Sequence, residues 1–317
     1  MEYLILILSL AGIVLGADFL VKGAVVVARK CRVSSFVIGA VIVGIGTSLP
    51  ELVVSTVGAI GGNSEVAIGN VVGSNIFNVF AILGLTALFF PIAVSRENMK
   101  FEIPFCIAVS VLLMLLVYNF FVGGEPRLGR WDGAALFLVF TSFMWISLRR
   151  GKSSAATVGE SVEEVNKSLW FAAFSILGGL AALIVSSNFF VDEAVAIARK
   201  LGVSDAFISI TLLACGTSLP ELAASVTAAV KKDTDMALGN IIGSNIFNAT
   251  MILGTASLIT PLTTGKIGLV DYGAMILAAV LPMIFGIRGK ITRFEGLLML
   301  LCYAAYTWYI VTYVMAV

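Results

Sequence analysis

The seven letters GTSLPEL stand at 46–52 and again at 216–222, and GSNIFN stands at 73–78 and again at 243–248, both pairs 170 positions apart. The same offset aligns Ala28, Arg29 and Lys30 with Ala198, Arg199 and Lys200, Val33 and Ser34 with Val203 and Ser204, and Gly69 and Asn70 with Gly239 and Asn240. No gap is needed over this stretch, so one half of the chain is a copy of the other. Whatever fold the chain adopts must accommodate the same unit twice.

The solvent for that fold is lipid. Of 317 residues 59% are hydrophobic and 12% charged, with mean hydropathy +1.05, against roughly 25% charged in soluble domains. Apolar runs long enough to cross a bilayer as helices lie near 3–26, 36–60, 66–89, 101–122 and 131–148, then near 168–195, 206–230, 236–259, 270–287 and 294–315. The predicted fold is all-α with ten transmembrane helices: a first five-helix repeat over 1–149, a cytoplasmic linker over 150–167 carrying Glu160, Glu163 and Glu164, and a second repeat over 168–317. Five is odd, so the second copy enters the bilayer from the opposite side, the inverted arrangement of secondary transporters. With the N-terminus outside, fourteen Lys and Arg fall in inner loops and five in outer loops, which favours both termini extracellular. The start lacks a basic segment and its apolar run is too long for a signal-peptide core, so it reads as a retained span.

Several chemistries are excluded early. The chain has no histidine, and Cys31, Cys106, Cys215 and Cys302 show no paired spacing, so disulfide frameworks, zinc sites and histidine relays lack their parts. No basic patch suits nucleic acid. No Ser or Cys has a histidine base, which removes an intramembrane hydrolase.

The motifs supply oxygen instead. On a helix, Thr47, Ser48, Glu51 and Ser55 point broadly one way, as do Thr217, Ser218, Glu221 and Ser225. Pro50 and Pro220 cannot donate to the carbonyls of Gly46 and Gly216, so each helix breaks beside its carboxylate. Carbonyls freed around Gly44 to Thr47 and Ala214 to Thr217 need protein, water or a cation to face. Ser74 with Asn78, and Ser244 with Asn248, add hydroxyl and amide oxygens from the next span. Such a set fits a hard cation such as Ca²⁺, which takes six to eight oxygens, and suits zinc or copper badly. The competing reading is a kinked, small-residue packing seam; it explains the glycines and outer serines. It does not explain Glu51 and Glu221, because an acidic residue within a span costs roughly 2.5 to 3.5 kcal/mol and marks a pathway. Asn75, Asn245, Asn70 and Asn240 read as structural, and Asp18 with Lys22 as a neutralised pair near a helix end.

At these residues the sequence resembles the calcium/cation antiporter superfamily, in particular its sodium/calcium exchangers, whose two alpha repeats carry GTSLPE-like and GSNIFN-like segments. The resemblance covers about 36–84 and 206–254. It implies that Glu51 and Glu221 are shared Ca²⁺ and Na⁺ ligands together with the backbone oxygens of Thr47 and Thr217. Ser48, Ser74, Ser218 and Ser244 become sodium ligands, Gly44 and Ala214 supply backbone carbonyls, and Asn78 and Asn248 complete the central diamond. Potassium-dependent exchangers and some archaeal-type relatives have Asp where this chain has Asn248; losing that carboxylate removes a charge that could help hold K⁺ or take a proton, so transport is expected to be independent of potassium. Proton-coupled calcium exchangers of the superfamily carry differently patterned repeats.

The expected activity is exchange of Na⁺ for Ca²⁺ by alternating access, the first and sixth spans sliding as a gate over the duplicated core. A calcium/proton antiporter of the same fold and a cation channel are the rivals. Transported Ca²⁺ and Na⁺ are the substrates and the lipid bilayer the surroundings; no cofactor is expected, a monomer suffices, and the compact form suits a prokaryotic cell membrane.

Overall fold

The computed structural model describes residues 2–120, 125–151, 168–201 and 214–314. Its helices are α1 (Glu2–Cys31), α2 (Ser35–Thr47), α3 (Leu49–Ile60), α4 (Ser64–Phe89), α5 (Asn98–Val117), α6 (Arg130–Arg150), α7 (Leu169–Lys200), α8 (Leu219–Val230), α9 (Thr234–Ile259), α10 (Leu269–Gly286) and α11 (Arg293–Thr312). Among the described residues eight of these are long and apolar enough to cross a membrane, and α2 with α3, bent by 47° across Ser48, makes a ninth. The expected span at 206–230 is represented by α8 and the turn Ala214–Gly216 before it. The rest of that span and nearly all of the expected linker lie outside the described residues.

The end signals explain where helices start and stop. Asn63 and Asp233, 170 apart, cap α4 and α9 by accepting from the N–H groups of Val66 and Met236. Thr292 and Glu295 form a reciprocal capping box at α11. Both α1 and α7 outrun the apolar segments read from sequence, ending at Cys31 and Lys200, because Arg29 with Lys30 and Arg199 with Lys200 oppose the negative end of the helix dipole.

The two halves are laced together. Four two-residue strands, β1 (Ile92–Ala93), β2 (Arg127–Leu128), β3 (Leu262–Thr263) and β4 (Lys290–Ile291), pair antiparallel as β1 with β4 and β2 with β3. Each clip joins the end of one half's third span to the loop before the other half's fifth. The helices follow suit: α11 packs on the end of α4 and α6 on the end of α9. Glycine permits the approach, since a Cβ on Gly296 would stand 2.6 Å from the Gly84 carbonyl oxygen, and one on Gly133 would stand 2.8 Å from that of Gly254.

α4 and α9 form the buried centre. Helices α1 and α7 lie antiparallel against each other, so close at Gly16 and Gly179 that a Cβ on Gly179 would meet the Leu20 amide nitrogen at 2.6 Å. Their outer faces expose Leu4, Ile7, Leu8, Phe174 and Leu177, the surface expected where lipid is the solvent.

Candidate cation site

Proline at the second position of α3 and of α8 needs no N–H partner there, and the residue two before it absorbs the break. Ser48 has φ −84° and ψ 9°, and Ser218 has φ −91° and ψ 7°. That turn aims each serine across to the other half. The Ser48 hydroxyl donates to Glu221 Oε1 at 2.8 Å, and the Ser218 hydroxyl donates to Glu51 Oε1 at 3.0 Å. Ser48, Ser218, Glu51 and Glu221 are all fully buried. Among the described residues neither carboxylate forms an ion pair with Lys or Arg. Two buried carboxyl groups without a basic partner must each either hold a proton or meet a compensating cation.

The third spans bring the remaining oxygens. A wide π-helical turn begins at Asn78 in α4 and at Asn248 in α9, a distortion found often at functional positions. Glu51 Oε2, Glu221 Oε2, Asn78 Oδ1, Asn248 Oδ1, Ser74 Oγ and Thr217 Oγ1 are buried and have no hydrogen-bond partner in the protein. Buried polar atoms are almost always bonded, and half of the unpartnered buried side-chain atoms among the described residues belong to residues of the two repeated motifs. Six oxygens of hydroxyl, amide and carboxylate type match the ligand taste of Ca²⁺ or Na⁺. Among the described residues no group of three or more His, Cys, Asp or Glu could hold a metal ion, so neutral oxygens must form much of any shell.

The other expected ligands are placed as follows. The Gly44 carbonyl accepts from the Ser48 N–H at 3.1 Å and from the Ser244 hydroxyl at 3.2 Å, so it lies beside the serines of both halves. The Thr47 hydroxyl donates toward the Val43 carbonyl at 3.0 Å, with Asn240 Oδ1 at 3.3 Å, which fixes the side chain while the oxygen keeps its lone pairs. Ala214 opens the short turn before Ser218. Ser55 and Ser225 point away from the carboxylates and accept from Asn70 at 3.0 Å and Asn240 at 2.8 Å. Those two asparagines also hold the backbone carbonyls of Glu51 and Glu221, at 3.3 and 3.2 Å, and so brace the helix breaks.

Two features extend the sequence reading. Asp18 and Lys22 do pair, at 2.6 Å, but within a helix that continues to Cys31, and Lys231 at the end of α8 joins them at 2.7 Å from Asp18. Asn75 and Asn245, read as structural, tie the two halves together: each donates to the backbone carbonyl of the other.

An all-helical multi-pass membrane protein with a buried carboxylate at each of two equivalent helix breaks falls in the class of secondary transporters. Residues 1–149 and 171–312 match the family described as sodium/calcium exchanger protein, and the chain belongs to that family. It is 34% identical over 339 residues to the sodium/calcium exchanger MaX1 of Methanosarcina acetivorans, with 96% of this chain and 97% of that one covered. It is 34% identical over 292 residues to the inner membrane protein YrbG of Escherichia coli, covering 87% of this chain and 86% of that one. The fold is similar to that of the sodium-calcium exchanger NCX_Mj soaked with 10 mM Na⁺ and no Ca²⁺, at TM-score 0.83 and 32% identity, with 98% of each chain covered.

Proposed function

We propose that the protein exchanges Na⁺ for Ca²⁺ across the cell membrane at a single buried site shared by its two halves. The observation that carries this reading is the crossed serine–glutamate pairing with both Oε2 atoms left unpartnered. Glu51 and Glu221 bind either ion, with the backbone oxygens of Thr47 and Thr217. Asn78 and Asn248 lie at the centre, and Ser48, Ser74, Ser218, Ser244 and the carbonyls of Gly44 and Ala214 serve sodium subsites. One Ca²⁺ neutralises two carboxylates; Na⁺ ions compete for the same oxygens, so occupancy by one ion excludes the other and flux is coupled.

The proposed topology is ten spans as two inverted repeats of five with both ends outside. The antiparallel pairing of α1 with α7 and the symmetric strand clips support it. Alternating access follows if α1 and α7, which carry none of the proposed ligands, slide together over the core. The name of YrbG, an inner membrane protein, supports the cell membrane as its place.

The deciding experiment is Ca²⁺ uptake into Na⁺-loaded proteoliposomes under Na⁺, K⁺ or proton gradients. Uptake driven by the Na⁺ gradient and lost in both Glu51→Gln and Glu221→Gln is the expected result. Uptake driven only by protons moves the chain to proton coupling, and transport surviving in either variant removes the site.

A further inference from the structure

Four buried asparagines close a relay between the halves. Asn75 Nδ2 donates to the backbone carbonyl of Asn245 at 3.0 Å, and Asn245 Nδ2 donates to that of Asn75 at 3.2 Å. Asn248 Nδ2 donates to Asn75 Oδ1 at 3.2 Å, and Asn78 Nδ2 donates to Asn245 Oδ1 at 3.0 Å. Asn78 Oδ1 and Asn248 Oδ1 have no partner in the protein.

We infer that Asn75 and Asn245 are positioning residues that fix which end of the Asn78 and Asn248 amides faces the transported cation. A side-chain amide has an oxygen end and an N–H₂ end of nearly the same shape, and only the oxygen end can ligate a cation. The direction of the relay is set where it cannot reverse, at two backbone carbonyls, which accept and never donate. Because the Asn245 carbonyl accepts, Asn75 must present Nδ2 to it, which turns Asn75 Oδ1 toward Asn248. Asn248 must then present its own Nδ2 to Asn75, and its oxygen is left for the site. The mirrored chain runs from the Asn75 carbonyl through Asn245 to Asn78. Reversing one amide would set oxygen against oxygen and N–H₂ against N–H₂ at about 3 Å, the penalty that a buried network imposes on any broken member.

The control is crossed: Asn75 orients the ligand of the other half, not Asn78 three residues away on its own helix. That crossing separates positioning from general packing, because a packing defect at Asn75 would disturb its own helix at least as much.

The inference rests on the reading of the site as a Ca²⁺ and Na⁺ site, and its test is a double-mutant cycle on Ca²⁺ affinity. Ca²⁺ binding to the detergent-purified protein is measured by calorimetry for Asn75→Ala, Asn248→Ala, Asn78→Ala and the two double variants. Asn75→Ala is expected to weaken Ca²⁺ by about five- to tenfold, the scale of one buried hydrogen bond. It should add nothing once Asn248 is Ala, and add in full when Asn78 is Ala. Additivity with Asn248→Ala, or an affinity within twofold of the parent, overturns the inference. Should Asn75→Ala fail to fold, Asn245→Ala runs the same cycle with Asn78 as the coupled partner. Glu51→Gln and Glu221→Gln, run alongside, report on the site itself: unchanged Ca²⁺ binding there removes the site reading, whereas lost binding there with an uncoupled Asn75 removes only the relay.

Discussion

Ser48, on the first broken helix, donates its hydroxyl to Glu221, on the second, at 2.8 Å. The carboxylate of one half is therefore held by the hydroxyl of the other, and the reverse bond from Ser218 to Glu51 closes the exchange. Ser48→Ala is expected to raise the Ca²⁺ concentration for half-maximal uptake by about tenfold, the lower end of the worth of one hydrogen bond to a charged group. Its effect should add in full to that of Ser218→Ala, which touches the other carboxylate. Transport kinetics in proteoliposomes measure the two single variants and the double; an unchanged half-maximal concentration in Ser48→Ala would contradict the crossed pairing.

Asn248 brings an amide, and no negative charge, to the proposed site. Na⁺-driven Ca²⁺ uptake should proceed at the same rate with choline or K⁺ as the accompanying cation. A strict K⁺ requirement in the parent protein would refute this.

Packing makes a separate prediction. A Cβ on Gly296 would stand 2.6 Å from the Gly84 carbonyl oxygen and 2.8 Å from the Leu88 amide nitrogen, whereas one on Gly273 meets nothing within 4 Å. Gly296→Ala should destabilise by about 1 to 3 kcal/mol, seen as a lower unfolding temperature in detergent, while Gly273→Ala leaves it unchanged or raises it. Equal melting of the two variants would mean that α11 does not rest on α4 as described.

Asp18 lies between Lys22 of its own helix and Lys231, which follows the helix carrying Glu221. These groups are partly exposed, so the pairs contribute at most about 1 kcal/mol each. If α1 slides, the bond to Lys231 must break in every cycle. Lys231→Ala is then expected to alter the maximal exchange rate about two- to fivefold, on the scale of such a pair, with Ca²⁺ affinity unchanged. A shift in affinity alone would place Lys231 in binding rather than in movement.

The helical membrane fold, the family and the two carboxylates were legible in the sequence for definite reasons. Spans announce themselves by length and hydropathy, and a proline beside a glutamate in an apolar run, written twice, has few meanings. The strand clips were not legible, because Ile92–Ala93 and its partners are two residues long and carry no alternation. Asn75 and Asn245 were read only as structural; their partners lie in the other copy, which no periodicity reveals. Lys231 escaped as the second partner of Asp18 for the same reason. The extra turns of α1 and α7 were missed because their basic ends look like loop in a hydropathy reading, although they favour the helix they terminate.

The clips between Ile92–Ala93 and Lys290–Ile291 also carry a consequence for how the protein is made. A ribosome delivers the first strand long before the second, so the early half enters the membrane with its edge unsatisfied and the end of α4 still without α11. Its neighbours arrive only with the last two helices. Final closure is thus an event of late translation, and a nascent chain stalled before residue 290 should remain open to membrane proteases at Ile92–Ala93 and the end of α4.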